Sequence, residues 1–140
     1  RGFSASSTVT RWLCMSARQN DDSRIQEIWD NINQLEERIA ASEMTEERFI
    51  HPQNPVEETI VEGLTFQLYR ILEEAAALTD RTKGTFFDAP WDEMRGMRNR
   101  LAHDYPGTNF EVVWDAIANS MDELRQVCIA YGSMRGIELG

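Results

Sequence analysis

The sequence predicts an all-α protein, an antiparallel helical bundle of three long helices plus a short motif helix. Apolar residues recur at spacings of three and four over three long stretches and one short one. No stretch sustains strand-like alternation, and no Asn-Gly hairpin turn occurs. There is no internal repeat, so a stacked array is excluded.

The first long helix is expected from Asp21. Ile25, Ile28, Trp29, Ile32, Leu35 and Ile39 make its stripe, with Glu27, Asp30, Glu37 and Arg38 off it. Asp21, Asp22 and Ser23 are candidate N-caps. A short turn of helix opens at Thr45-Glu46-Glu47 and is stopped by Pro52. The second long helix begins near Pro55, a residue suited to the first helical position, and its stripe runs from Ile60 to Leu78. Gly63 inside it offers room for a neighbouring helix to approach. Asp80 to Pro90 reads as a loop. The short motif helix spans about Trp91 to His103 and is ended by Pro106 and Gly107. The last long helix starts at Asn109, an N-cap candidate, and presents Phe110, Val113, Ile117, Leu124, Cys128 and Tyr131.

A length of 140 residues suits one domain with a real core. Residues 1–14, RGFSASSTVTRWLC, are Ser/Thr-rich and free of acids. They read as a transit peptide or, preferably, as an expression scar or translated upstream sequence, with Met15 a reasonable start. Residues 1–20 are therefore set apart as an N-terminal extension from a domain over 21–140.

Asp and Glu number 24 against 14 Lys and Arg, a net charge of −10. That excludes broad, non-specific attraction to nucleic acid, so any such contact is local. Cys14 and Cys128 form no metal-like spacing and read as reduced thiols of a cytoplasmic protein. With only His51 and His103 present, a His-rich metal site is excluded, and no cofactor motif appears. No apolar run approaches the roughly 20 residues of a membrane helix.

Against this acidic background, Met94 to His103 hold Arg95, Arg98, Arg100 and His103 and no acid. At about 100° per residue, Trp91, Met94, Met97 and Leu101 cluster on one side, with Arg98 amid them. An arginine there needs a partner or a task. One reading is an ion pair with Glu73 or Glu74 on the neighbouring helix. The other is phosphate binding, for which guanidinium is suited. His103 follows five residues later and points about 140° away from Arg98. One regular helix cannot bring both to one phosphate. Either the helix ends so that His103 swings round, or two copies face each other across a two-fold axis. The second is preferred, because Gly96 and Asn99 share the side of His103 and make a small, polar face. RNA cleavage without a metal needs a base, an acid and cations for the crowded phosphorus. Two histidines and two arginines at such an axis would supply them. Spacing alone leaves the bland alternatives open: His103 as a helix-ending residue favoured by the dipole, and Tyr105 as a packed helix-end aromatic.

The fuller string WDEMRGMRNRLAHDY, Trp91 to Tyr105, closely resembles the signature of HepT-like proteins of the HEPN superfamily, read as R-x(4)-H-x-Y. Arg98, Asn99, His103 and Tyr105 fall on the motif, with Gly96 and Met97 before it. The opening helix, the TEERFIH turn, the EETIVEGLTFQLYRILEEAAAL helix and the FEVVWDAIANSMDEL helix are also similar to the family, in its order, over about residues 21 to 131. The resemblance implies a dimeric, metal-independent ribonuclease, the toxin of a bacterial or archaeal toxin–antitoxin pair. It makes Arg98 and His103 catalytic, with Asn99 as the accompanying polar residue. It implies a minimal nucleotidyltransferase (MNT-type) antitoxin that adds AMP to Tyr105. Arg95 and Arg100 look like auxiliary phosphate contacts. The alternative is a non-catalytic RNA- or nucleotide-binding partner subunit of such a nucleotidyltransferase. A purely structural bundle is a third reading, under which Arg98→Met would be tolerated.

Overall fold

The computed structural model describes the backbone of residues 4–140 and the side chains of residues 21–140. The side chains of the proposed extension over 1–20, Cys14 included, therefore lie outside the described residues.

The chain is all-α, and no strand occurs among the described residues. Helix α1 spans Ser4–Ser42, α2 Glu46–Ile50, α3 Pro55–Ala76, α4 Asp80–Thr85 and α5 Trp91–His103. A 3-10 turn, Tyr105–Gly107, follows. Helix α6 (Phe110–Asp115) continues through a π-helical turn, Ala116–Ser120, into α7 (Met121–Arg135). The three long bodies are α1, α3 and the α6–α7 run. Helix α1 packs on α3 and α7, α3 carries α5 on its other side, and α2 meets α6.

Local chemistry explains most boundaries. Thr45 caps α2 by accepting from the Arg48 N–H. Asn54 caps α3 through the Glu57 N–H, with Pro55 at the first helical position where its missing donor is not needed. Asn109 caps α6 through the Glu111 N–H. Gly136, at φ 70°, ends α7 in the left-handed conformation that glycine tolerates best. The core is the predicted stripes brought together. Ile25, Ile28, Ile32 and Leu35 of α1 meet Leu64, Leu68, Ile71 and Leu72 of α3, with Val113, Leu124 and Cys128 from the last run. Each such side chain contributes roughly 1.5–3 kcal/mol by leaving water. Burial pushes the Cys128 thiol up to about 12, so it is an inert core residue.

Three expectations need correction. Asp21, Asp22 and Ser23 do not cap α1, because the helix runs through them from Ser4. Asp21 instead accepts from the Thr79 N–H at 3.2 Å and from the Thr79 and Thr82 hydroxyls. Asp22 accepts from the Tyr131 hydroxyl and from Arg135. The stretch from Asp80 is not all loop. Thr79 caps the six-residue α4, and the buried Asp21 holds that cap from 58 positions away. Gly63 brings no helix close: a Cβ there would meet nothing within 4 Å. The last long helix runs from its Asn109 cap as expected and also contains a π-helical turn, Ala116–Ser120.

The Asp21 tie yields a test. Asp21→Ala leaves the Thr79 amide and two hydroxyls without their acceptor, so it should cost about 1–3 kcal/mol of stability. Urea denaturation should show a lower midpoint with an unchanged slope. An unchanged midpoint would mean that α4 is held by its apolar contacts alone.

Candidate active site

Helix α5 sits on α3 through the buried Met94 and Leu101 and the partly buried Trp91 and Met97. The Trp91 indole N–H donates to the Phe86 carbonyl at 2.9 Å, which anchors the start of the helix. This seating turns Arg98 toward α3. Its Nε donates to Glu73 Oε1 at 2.6 Å, and Glu73 Oε2 accepts from the Tyr69 hydroxyl at 2.9 Å. Arg98 Nη1 donates to Asn99 Oδ1 at 2.9 Å. Two of the five guanidinium N–H groups are so engaged; the other three have no partner among the described residues.

Of the two acids foreseen for Arg98, Glu73 is the one it meets. Glu74 pairs with Arg24 at 3.0 Å. The Arg98–Glu73 pair is not buried, since the two side chains keep 33% and 38% of their exposure. Pairs this open add little to stability, so holding the fold together is a weak reason for its presence. The Arg98 guanidinium, then the Tyr69 hydroxyl, hold the Glu73 carboxyl below its ordinary value. The hydrogen bond to Glu73, then burial, push the Tyr69 hydroxyl up. All three groups thus stay in the protonation states that their bonds require.

His103 is the last residue of α5, and Asp104 closes the helix by donating its N–H to the Arg100 carbonyl at 2.8 Å. The imidazole is exposed and makes no hydrogen bond to Arg98 or to any other described residue. Gly96 and Asn99 are exposed beside it, and a Cβ on Gly96 would meet nothing within 4 Å. The small, polar face anticipated from the helical wheel is therefore uncovered in a single chain. Arg100 is exposed with no partner among the described residues. Arg95 pairs with Asp92 at 3.1 Å, both exposed, and lines a cleft with Lys83 and Phe87 beside the end of α3.

Tyr105 opens the 3-10 turn. A Cβ at Gly107 would come within 2.5 Å of the Asp104 carboxylate, an exposed side chain that can swing aside. The Tyr105 ring meets Phe110 edge-on at 5.8 Å, Phe110 lies 6.1 Å from Phe49, and Phe49 lies 5.2 Å from Trp114. The ring is thus the outer end of an aromatic row rooted in the core. Burial, then the nearby Glu62 charge, push its hydroxyl up.

Two features escaped sequence reasoning. Tyr69 as the second holder of Glu73 is one, although its i,i+4 spacing to Glu73 on α3 was a readable signal. The other is an open groove of about 460 Å³ between α3 and the end of α5, lined by Glu62, Phe66, Tyr69, Leu101 and Tyr105. Its signal was Phe66, an aromatic residue off the α3 stripe. Among the described residues, no group of three or more His, Cys, Asp or Glu side chains could hold a metal ion. Nor is any described helix long and apolar enough to cross a membrane.

Residues 25–130 match the family described as ribonuclease HepT-like. The chain belongs to the HepT-like family. The matched span contains Tyr69, Glu73, Arg95, Arg98, Asn99, Arg100, His103 and Tyr105; Asp21 and Asp22, which tie α4 and the end of α7, lie outside it. A protein of Caldanaerobacter subterraneus subsp. tengcongensis named "Putative RNase TTE0752" is 40% identical over 37 residues, 26% of this HepT-like chain. That match spans about a third of the relative's own length, 33%. No solved structure matches the chain.

Proposed function

We propose that this HepT-like chain is a metal-independent endoribonuclease, the cytoplasmic toxin of a bacterial or archaeal toxin–antitoxin pair. Its site is composite, with Arg98, Asn99 and His103 from each of two chains meeting across a homodimer axis. The observation that carries this reading is the mounting of Arg98. Its Nε is pinned by Glu73 and its Nη1 by Asn99, while three N–H donors remain for an anion. An exposed imidazole stands at the end of the same helix.

The chemistry follows from these groups. One His103 takes the proton of a ribose 2′-hydroxyl as its oxygen attacks the adjacent phosphorus. The Arg98 guanidinium stabilises the added negative charge on the phosphoryl oxygens. The P–O5′ bond breaks, and the protonated His103 of the second copy donates a proton to the departing oxygen. The products are a 2′,3′-cyclic phosphate and a free 5′-hydroxyl. Gly96, with open space above it, suits the close approach of the second helix. Arg100, without a partner, suits an auxiliary phosphate contact; Arg95 would first leave its exposed pair with Asp92, at little cost. An MNT-type nucleotidyltransferase antitoxin would silence the site by adding AMP to Tyr105. That adds charge and bulk two positions from His103.

The test is cleavage of single-stranded RNA by purified, EDTA-treated protein, fractionated by size. Activity should travel with a species of about twice the 16.2 kDa chain mass. Cleavage confined to the monomer would overturn the composite site. RNA binding without cleavage, with AMP on Tyr105 excluded by intact mass, would favour a non-catalytic binding partner of the nucleotidyltransferase.

A further inference from the structure

The groove beside the motif has a composition that the chemistry above does not use. Its walls are aromatic: Phe66 and Tyr69 are near-parallel at 6.3 Å and 29°, and Tyr105 faces them from the end of α5. Phe66 is 61% exposed, so its ring face is open to a ligand; Phe87, elsewhere on the surface, is exposed to 75%. Leu101 and Ala102 of α5's last turn also line it. At the rim stands the Glu62 carboxylate, which has no hydrogen bond or ion pair among the described residues. The groove joins the Arg98 mounting directly, because Tyr69 lines the one and bonds Glu73 in the other. It flanks His103 on both sides in sequence, through Ala102 and Tyr105.

We infer that this groove binds the base of a nucleotide next to the scissile phosphate, with a preference for guanine. The inference rests on the ribonuclease reading and adds a base-recognition site to it. Unpaired RNA bases are held in proteins by stacking on aromatic rings and by hydrogen bonds to their edges. Phe66, Tyr69 and Tyr105 supply rings, and an exposed phenylalanine gains most from a flat apolar cover. Glu62 selects the edge. An ionised carboxylate offers two acceptor oxygens and no donor. Guanine presents two adjacent donors, N1–H and the 2-amino group, which match it. Adenine and cytosine present an amino group beside a ring-nitrogen acceptor, and uracil one N–H between two carbonyls, so each sets an acceptor against the carboxylate. The phosphate of the seated nucleotide would lie toward α5, where Arg98 holds its unused donors.

The experiment uses the full chain and two readouts. The first is binding of guanosine, adenosine, cytidine and uridine 3′-monophosphates, followed by NMR shifts of the groove's aromatic protons; it needs no catalysis. The second is cleavage of oligonucleotides that differ only in the base at one cut site. Guanosine monophosphate should bind most tightly, and Phe66→Ala should weaken it by roughly tenfold or more, the scale of one base–aromatic stack. Glu62→Gln, which keeps size and loses the charge, should level the preference among bases while uridine binding changes little. Both positions are exposed, so the variants should fold.

Guanosine binding at the groove without RNA cleavage would keep this site and overturn the ribonuclease reading. Cleavage that is indifferent to base and to both substitutions would keep the ribonuclease and overturn the groove. If Phe66→Ala instead splits a dimer in sedimentation and no nucleotide shifts the groove protons, the groove is a self-association surface and the inference fails.

Discussion

His103→Ala should abolish RNA cleavage, by about 10²–10⁴-fold, while leaving the unfolding transition and the oligomeric state unchanged. The magnitude follows from the proposed role: an imidazole that moves a proton at the reacting oxygen is replaced by alanine, which cannot. The clean separation follows from the setting. The imidazole is exposed at the last position of α5 and bonds to no other described residue, so its removal leaves no buried group unpaired. Cleavage rates of the two proteins in EDTA, at matched folding, decide the matter. An equal rate in both would remove His103 from the mechanism, and a background rate in both would leave a binding module.

Arg98→Met should lower cleavage by about 10²–10³-fold, the usual consequence of removing one group that stabilises developing negative charge. Methionine keeps the apolar stem that lies among Met94, Met97 and Leu101. The Arg98–Glu73 pair is open to water, so the unfolding midpoint should move little. This outcome separates the enzyme from the purely structural bundle, which predicts normal behaviour of the same variant. Glu73 adds a second arm. It touches Arg98 rather than RNA, so it is a positioning residue, and Glu73→Gln should reduce kcat more than it raises KM. The double variant should be no worse than Arg98→Met alone, because Glu73 acts only through the guanidinium. Additive losses would give Glu73 a separate role.

Much of this arrangement was legible in the chain. The stripes of α1 and α3, the bounds of α5 and the Pro55 and Asn109 starts all follow from interactions within a few residues. The Arg98–Glu73 pair was legible for a different reason: an arginine inside an apolar stripe demands a partner, and few acids stood on the neighbouring stripe. What was hidden depends on distant residues. Helix α4 is capped by Thr79, whose hydroxyl is held by Asp21 from α1. Asp21 and Asp22 look like helix-starting residues but spend their oxygens on α4 and α7. The Glu62–Phe66–Tyr105 groove needs α3 and the end of α5 side by side, and no local pattern announces it. The proposed roles of Arg98, His103 and Tyr105, and the proposed partner, rest on the motif and its chemistry together.

The aromatic row from Trp114 through Phe49 and Phe110 to Tyr105 has one more consequence. The Tyr105 ring is 39% exposed but rests edge-on against Phe110, so anything joined to its oxygen is carried on a short arm beside the end of α5. An attached group would stay near the end of α5 at an effective concentration in the millimolar range or above, as for any short tether. A substituent with an affinity of its own no better than about millimolar would then occlude the end of α5 for a large part of the time.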